Sequence, residues 1–361
     1  MPPTSLRRPT PPRPSSLAPA ARSVRVRGSV ARALAVGTLA ALAALTALAA
    51  ACASVPFFGR GDAEFWGFAV PWDPRSPASA SEHAEALDAL VSGWIALDTL
   101  TGQPVAAPTG GGAPRASGPQ PMAIVTTFVG SRFHPEVIRA LANDDAALAR
   151  AAHAIAEQAA AGGYRGLVLD FEGHTARDRN VLAKVVRAIG DSARARDLGP
   201  VAVAVPAADT SGYPARALLP GADLVLVMLY DEHWTGSPPG PIASPDWARR
   251  QLGVRVAEVG ADRLVVSLPL FGYVWRPNAA TQVVSFAEAR GLAGTAGDFL
   301  EREPASETLR AARAGEWEVW VSDAELLRAL IAEARGSNIR RFALWRLGLE
   351  DPAVWGVVSG D

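Results

Sequence analysis

The sequence predicts an α/β protein, a (β/α)8 TIM barrel, from three observations. Short β-rich runs alternate with amphipathic stretches along the chain. The runs are almost continuously apolar, as expected of a parallel sheet covered on its outer side. The stretch from Glu64 to Asp361 is roughly 300 residues, a usual length for one such barrel.

The runs, in order, are Phe65 to Val70, Trp94 to Leu97, Met122 to Phe128, Gly166 to Phe171, Val201 to Val205, Leu224 to Leu229, Leu264 to Leu270 and Arg341 to Trp345. Helical patterns fall between them at Ser81 to Val91, Asp144 to Ala161, Ala176 to Ala195, Pro245 to Val259 and Asp323 to Arg335. Asp144 and either Ser322 or Asp323 stand where a side chain caps a helix start; Gly162-Gly163 and Gly336 stand where helices stop. Two segments depart from the repeat. Thr101 to Pro121, with Gly110-Gly111-Gly112, reads as a surface loop, and no helix start follows it to make a phosphate cradle. Residues 274–321 read as a small insertion between strand 7 and helix 7, with a hairpin around Glu316 to Val321.

Residues 1–52 carry seven arginines, no acid, and an apolar run from Ala33 to Ala51, the pattern of a secretory leader. Ala49-Ala50-Ala51-Cys52 resembles a lipobox, with Leu48 one position earlier than usual, so Cys52 is the expected lipidation site; the alternative is a passenger beside an ordinary cleavage site. The expected organisation is a leader over 1–52, a tether over 53–62 and a catalytic barrel over 63–361. The expected location is the cell envelope, with the chain exported and membrane-anchored only through that lipid. Without the leader, 28 basic residues face 36 acidic ones, a net charge near −8 that argues against nucleic acid as a partner. The lone cysteine makes no internal disulfide.

In a parallel barrel the chemistry sits at the carboxyl ends of the strands. Asp170 and Glu172 end the fourth strand two residues apart, so both project from one face, with Val168 before them. Like charges so placed raise one member's pKa and keep a protonated acid near neutral pH. The bland alternatives are a solvated loop start or an ion pair with Arg177. The sixth strand ends in Met228, Leu229, Tyr230 and Asp231, with Trp234 just beyond; the first runs into Trp72 and Asp73; the eighth ends at Trp345, an apolar floor for a sugar ring or else a core residue. Trp94, Trp247, Trp317, Trp320 and Trp355 read as packing. His174 and His233 follow strand ends, and a loop hydrogen bond is the expected role for each. The five histidines show no metal spacing and no G-x-S-x-G is present, so neither metal nor cofactor is expected.

These motifs together resemble glycoside hydrolase family 18, the chitinase-like barrels, and within it the bacterial cell-wall and spore-cortex hydrolases and the modules fused to polysaccharide-synthesis enzymes. The place of the signature D-G-x-D-x-D-x-E reads R-G-L-V-L-D-F-E from Arg165 to Glu172, M-x-Y-D is met from Met228 to Asp231, and L-P-L-F-G-Y-V-W and W-R-L-G-L-E-D-P-A-V-W follow in order. The resemblance implies that Glu172 is the general acid, that Asp170 orients the substrate acetamido group, and that Tyr230 hydrogen-bonds its carbonyl oxygen. Asp231, Met228, Trp345, Trp72 and Trp234 would bind the sugar. The acetamido oxygen then acts as internal nucleophile, and the reaction proceeds with retention. The implied substrate is a β-linked N-acetylglucosamine polymer, chitin-like, peptidoglycan or exopolysaccharide, acted on by a monomer. Arg165 and Val168 replace the first two aspartates, and Thr126, Thr127 and Phe128 stand where strand three of chitinases carries serine and glycines. Those departures imply one fixed orientation for Asp170 and slower turnover; the alternative reading is a chitinase-like carbohydrate-binding protein with weak or no catalysis.

Overall fold

A computed structural model describes residues 61–106 and 118–360. The leader, Cys52 and Gly110-Gly111-Gly112 lie outside the described residues. Eight parallel strands form the barrel: β1 (Glu64–Phe68), β2 (Ala89–Leu97), β3 (Gln120–Thr126), β4 (Gly166–Asp170), β5 (Val201–Pro206), β6 (Leu224–Met228), β7 (Leu264–Pro269) and β8 (Arg341–Trp345). Each pairs with the next, and β1 pairs with both β2 and β8, which closes the sheet. All eight predicted runs are strands.

The closed sheet sorts its side chains by parity. On β4 and just past it, Leu167, Leu169 and Phe171 are buried against the surrounding helices, while Val168 points to the barrel interior with Met122, Ile124, Ala202 and Leu226. Burying each large apolar side chain contributes roughly 1.5–3 kcal/mol. That outer packing holds the register which brings Asp170 opposite Thr126 of β3.

The helices over Asp145–Ala161, Arg179–Arg194, Pro245–Val259 and Ala324–Gly336 fall where the sequence placed them, with Asp144 and Asp323 as N-caps accepting from the Ala147 and Leu326 amides. The helix expected over Ser81 to Val91 is a correction. The helix is earlier, Arg75–Glu82, followed by a single turn over Ala84–Ala86. From Ala89 the chain is already β2, because Asp88 ties the segment to β1: its carboxylate accepts from the Phe65 amide, and its own amide donates to the Phe65 carbonyl, both at 2.8 Å.

The insertion after β7 is a five-stranded antiparallel sheet. Its first strand, Gly272–Trp275, lies between Gln282–Val284 and Trp317–Val321, and Leu309–Arg313 pairs with Trp317–Val321 as the expected hairpin. A helix over Phe286–Thr295 packs on it, started by a Ser285–Glu288 capping box. Among the described residues no helix is long and apolar enough to cross a membrane.

Candidate active site

The carboxyl ends of the strands surround a cleft of about 550 Å³. Asp170, Glu172, Met228, Tyr230, Asp231, Trp72 and Trp345 all line it, so the structure brings together seven of the eight predicted cleft residues. Trp234, the eighth, is next in the chain to the lining residue Thr235. Ser237 Oγ accepts from the Trp234 amide at 2.9 Å and closes a tight turn, and the indole folds over Gly236 and stands half exposed.

Asp170 is buried, and its carboxylate has one side-chain hydrogen-bond partner among the described residues, the Thr126 hydroxyl at a long 3.4 Å. Thr126 is itself fixed, since its oxygen accepts from the Phe128 amide at 3.0 Å. Glu172 makes neither hydrogen bond nor ion pair among the described residues, and the pair with Arg177 does not form. Burial pushes both acids above the ordinary carboxylate range; for Glu172 the negative charges of Asp170 and then Asp231 push further. The Thr126 hydroxyl opposes the rise at Asp170. The two carboxyls together therefore keep a proton at a higher pH than an ordinary carboxylate would.

Asp231 opens the loop after β6 at a positive φ of 66°, a conformation that costs a non-glycine residue energy and turns its side chain toward the cleft. It is exposed to cleft water by surface area yet ringed by protein, and this partial desolvation raises its pKa against a hydrogen bond from Tyr273. Tyr230 is pushed upward first by burial and next by the charge of Glu172, so its phenol stays protonated and able to donate.

Several cleft residues were not singled out from the sequence. Phe271 and Tyr273 line the wall beyond Tyr230, in edge-to-face contacts of 5.8 Å for Tyr230 with Phe271 and 5.2 Å for Phe271 with Tyr273. The aromatic alternation Phe271, Tyr273, Trp275 was the available signal. On the opposite wall Trp94, expected to be packing, lines the cleft and meets Trp72 edge to face at 4.6 Å, with its Nε1 donating to the Ala69 carbonyl. Phe128 and Phe133 continue that wall on a small hairpin.

The histidines stay out of the cleft lining. His233 Nδ1 lies 3.0 Å from the Pro241 carbonyl, a loop contact as expected. His174 is buried and, among the described residues, neither ring nitrogen is hydrogen-bonded, so the loop bond expected of it does not form; desolvation lowers its pKa to about 4 and the ring is neutral. Asp73 belongs to the rim: it binds Arg75 and, at 2.9 Å, Arg346, which hold its carboxyl well below the usual range. No group of three or more His, Cys, Asp or Glu suited to a metal occurs among the described residues.

A closed barrel with an antiparallel insertion after β7 and an acid pair at the end of β4 is a fold shared with solved chitinase and spore cortex-lytic enzyme structures. No family model matches the chain. It is 25% identical over 250 residues to a Bacillus subtilis protein named provisionally as a sporulation-specific glycosylase, YdhD, covering 65% of this chain and 59% of that one. It is 25% identical over 254 residues to the cortical fragment-lytic enzyme of the same organism, covering 66% and 59%. The chain thus spans less than two thirds of the length of either relative. Among solved structures, the spore cortex-lytic enzyme SleL of Bacillus megaterium QM B1551 superposes with a TM-score of 0.72 at 19% identity, over 82% of this chain and 73% of that one. A chitinase of Chromobacterium violaceum ATCC 12472 superposes with a TM-score of 0.70 at 22% identity, over 82% and 98%. These likenesses establish the fold, and both comparisons contain the spore-cortex branch expected from the sequence.

Proposed function

We propose that the chain is a glycoside hydrolase that cleaves β-linked N-acetylglucosamine polymers with retention, by substrate-assisted catalysis. The observation that carries this reading is the convergence of Asp170, Glu172, Tyr230 and Asp231, from two strands, on one cleft floored by Trp345. The protonated Glu172 donates to the glycosidic oxygen as the bond to the anomeric carbon breaks. The acetamido oxygen of the same sugar forms the new bond to that carbon, giving an oxazolinium intermediate whose positive charge Asp170 stabilises. Glu172, now a carboxylate, takes a proton from the water that opens the ring. Names of the relatives support a cell-wall or chitin-type polymer.

Incubation of the purified chain with chitin oligosaccharides and with peptidoglycan glycan strands tests the reading. Release above that of Glu172→Gln is expected on at least one of them; equal release on every N-acetylated polymer sinks it. Product masses from several defined glycans then identify the polymer.

A second reading is favoured by one observation. Val168, buried beside Asp170, gives that carboxylate no polar partner on its own strand. A carbohydrate-binding protein predicts oligosaccharide binding by calorimetry without any cleavage.

The proposal includes export and anchoring at the envelope through Cys52, supported by the arginine-rich apolar leader that ends there. A diacylglyceryl mass on an N-terminal Cys52 peptide from the membrane fraction is expected; a soluble chain with a free Cys52 thiol refutes the anchor.

A further inference from the structure

The backbone on either side of Glu172 is tied to a single side chain that the reaction above does not use. Tyr213, on the loop after β5, is 2% exposed. Its hydroxyl accepts from the His174 amide at 3.0 Å and donates to the Phe171 carbonyl at 3.1 Å. Phe171 and His174 flank Glu172 and Gly173, so one oxygen pins both ends of the two-residue span that carries the acid.

That span needs pinning. Gly173 takes a φ of 79°, a turn that glycine adopts without strain and that leaves the local chain pliable. Among the described residues the Glu172 carboxyl has no hydrogen bond of its own, so its direction is inherited from its backbone and from the packing around it.

Tyr213 is well placed to supply rigidity. The guanidinium of Arg255, fully buried on the helix Pro245–Val259, donates to the Tyr213 carbonyl at 2.9 Å, to Pro206 at 2.6 Å and to Asp209 at 2.8 Å, and pairs with Glu258 at 3.0 Å. Gly212 lets the two loops touch: a Cβ there would lie 3.0 Å from the His174 carbonyl oxygen and 2.7 Å from Asp209 Oδ2. The rings of His174 and Tyr213 meet edge to face at 6.1 Å.

We propose that Tyr213 is a positioning residue for Glu172, acting through the backbone of Phe171 and His174 to hold the acid in its partly desolvated place beside Asp170. The proposal rests on the hydrolase reading given above. A loop released from the clamp admits more water to Glu172, which weakens its hold on the proton and misdirects it from the glycosidic oxygen.

Tyr213→Phe keeps the ring and removes the clamp. Expected at a temperature well below unfolding is a fall in kcat of about tenfold or more with KM within about twofold, as for a lost orienting contact. The high-pH limb of kcat should move to lower pH, because a hydrated acid ionises sooner. Gly212→Ala, which crowds the loop away from His174, should do the same, and it serves if the first variant does not fold. Amide exchange at His174 should accelerate by about tenfold in Tyr213→Phe with Leu169 unchanged. Wild-type kcat and an unmoved pH limb in either folded variant overturn the proposal and leave the hydrolase reading intact. If instead wild type releases no more than Glu172→Gln, the hydrolase reading falls, and exchange alone decides the clamp: unchanged exchange at His174 overturns it, and acceleration upholds it as a restraint on the loop.

Discussion

The Tyr273 hydroxyl donates to Asp231 Oδ1 at 2.9 Å, so the insertion after β7 reaches into the barrel and holds a carboxylate at the end of β6. A bond of this kind favours the ionised form of Asp231, opposing the rise that desolvation causes. Tyr273→Phe should therefore raise the Asp231 pKa further and move the low-pH limb of kcat upward. Turnover should fall about tenfold, the worth of one hydrogen bond to a charged group. A pH-rate profile on N-acetylated oligosaccharide checks both; an unmoved acidic limb rejects the role.

Glu172→Gln should cost about 10²–10⁴ in kcat, the usual range for a lost general acid. Its effect on stability has the opposite sign. Because the folded pKa of Glu172 lies above its ordinary value of 4.5, the wild-type stability is fully present below that pH and declines as pH rises toward the folded pKa. The amide escapes that decline. Melting curves should show the two proteins alike near pH 4 and the variant more stable near pH 8, by on the order of 1–2 kcal/mol.

Thr126→Val removes the one side-chain hydrogen bond to Asp170 among the described residues, which also lowers the pKa of that carboxyl. At 3.4 Å the bond is weak, so a loss of turnover of about threefold to tenfold is expected, with Thr126→Ser close to wild type. Equal losses in the valine and serine variants would assign Thr126 to packing alone.

Val168→Asp places a carboxyl among Ile124, Ala202 and Leu226. An unpaired buried charge should cost about 3 kcal/mol or more at pH 8 and less at pH 5, where the acid is protonated. Under the hydrolase reading, turnover per folded molecule should rise, because Asp170 gains a polar neighbour on its own strand. Urea titrations at the two pH values, paired with kcat, measure the exchange of stability for rate.

The strands and the acid pair were legible because both follow from local rules. Each barrel strand is buried on two sides and therefore reads as an apolar run, and residues two apart on a strand share a face. Where those rules break, the reading failed. Register shifts between Val91 and Gly93 in β2, which spoils any parity count along the strand and hid Trp94 as a cleft residue. Ala89 to Val91 carries helix-compatible spacing, and only the pairing of Asp88 with Phe65 makes it strand. Tyr213 matches no motif since its partners are backbone atoms of another loop.

Closure of the sheet has a consequence for how the chain acquires its site. Glu64 and Arg341 form an ion pair across 277 residues, and their strands pair in register at the seam between β1 and β8. Until the last strand is made, β1 and β7 are open edges and Trp345 is absent from the cleft, however well the acid pair on β4 has been shaped by its own helices. All eight strands must therefore be made before the cleft exists, and the long-range pairing that seals the cylinder is also the one that completes the cleft wall at Trp345.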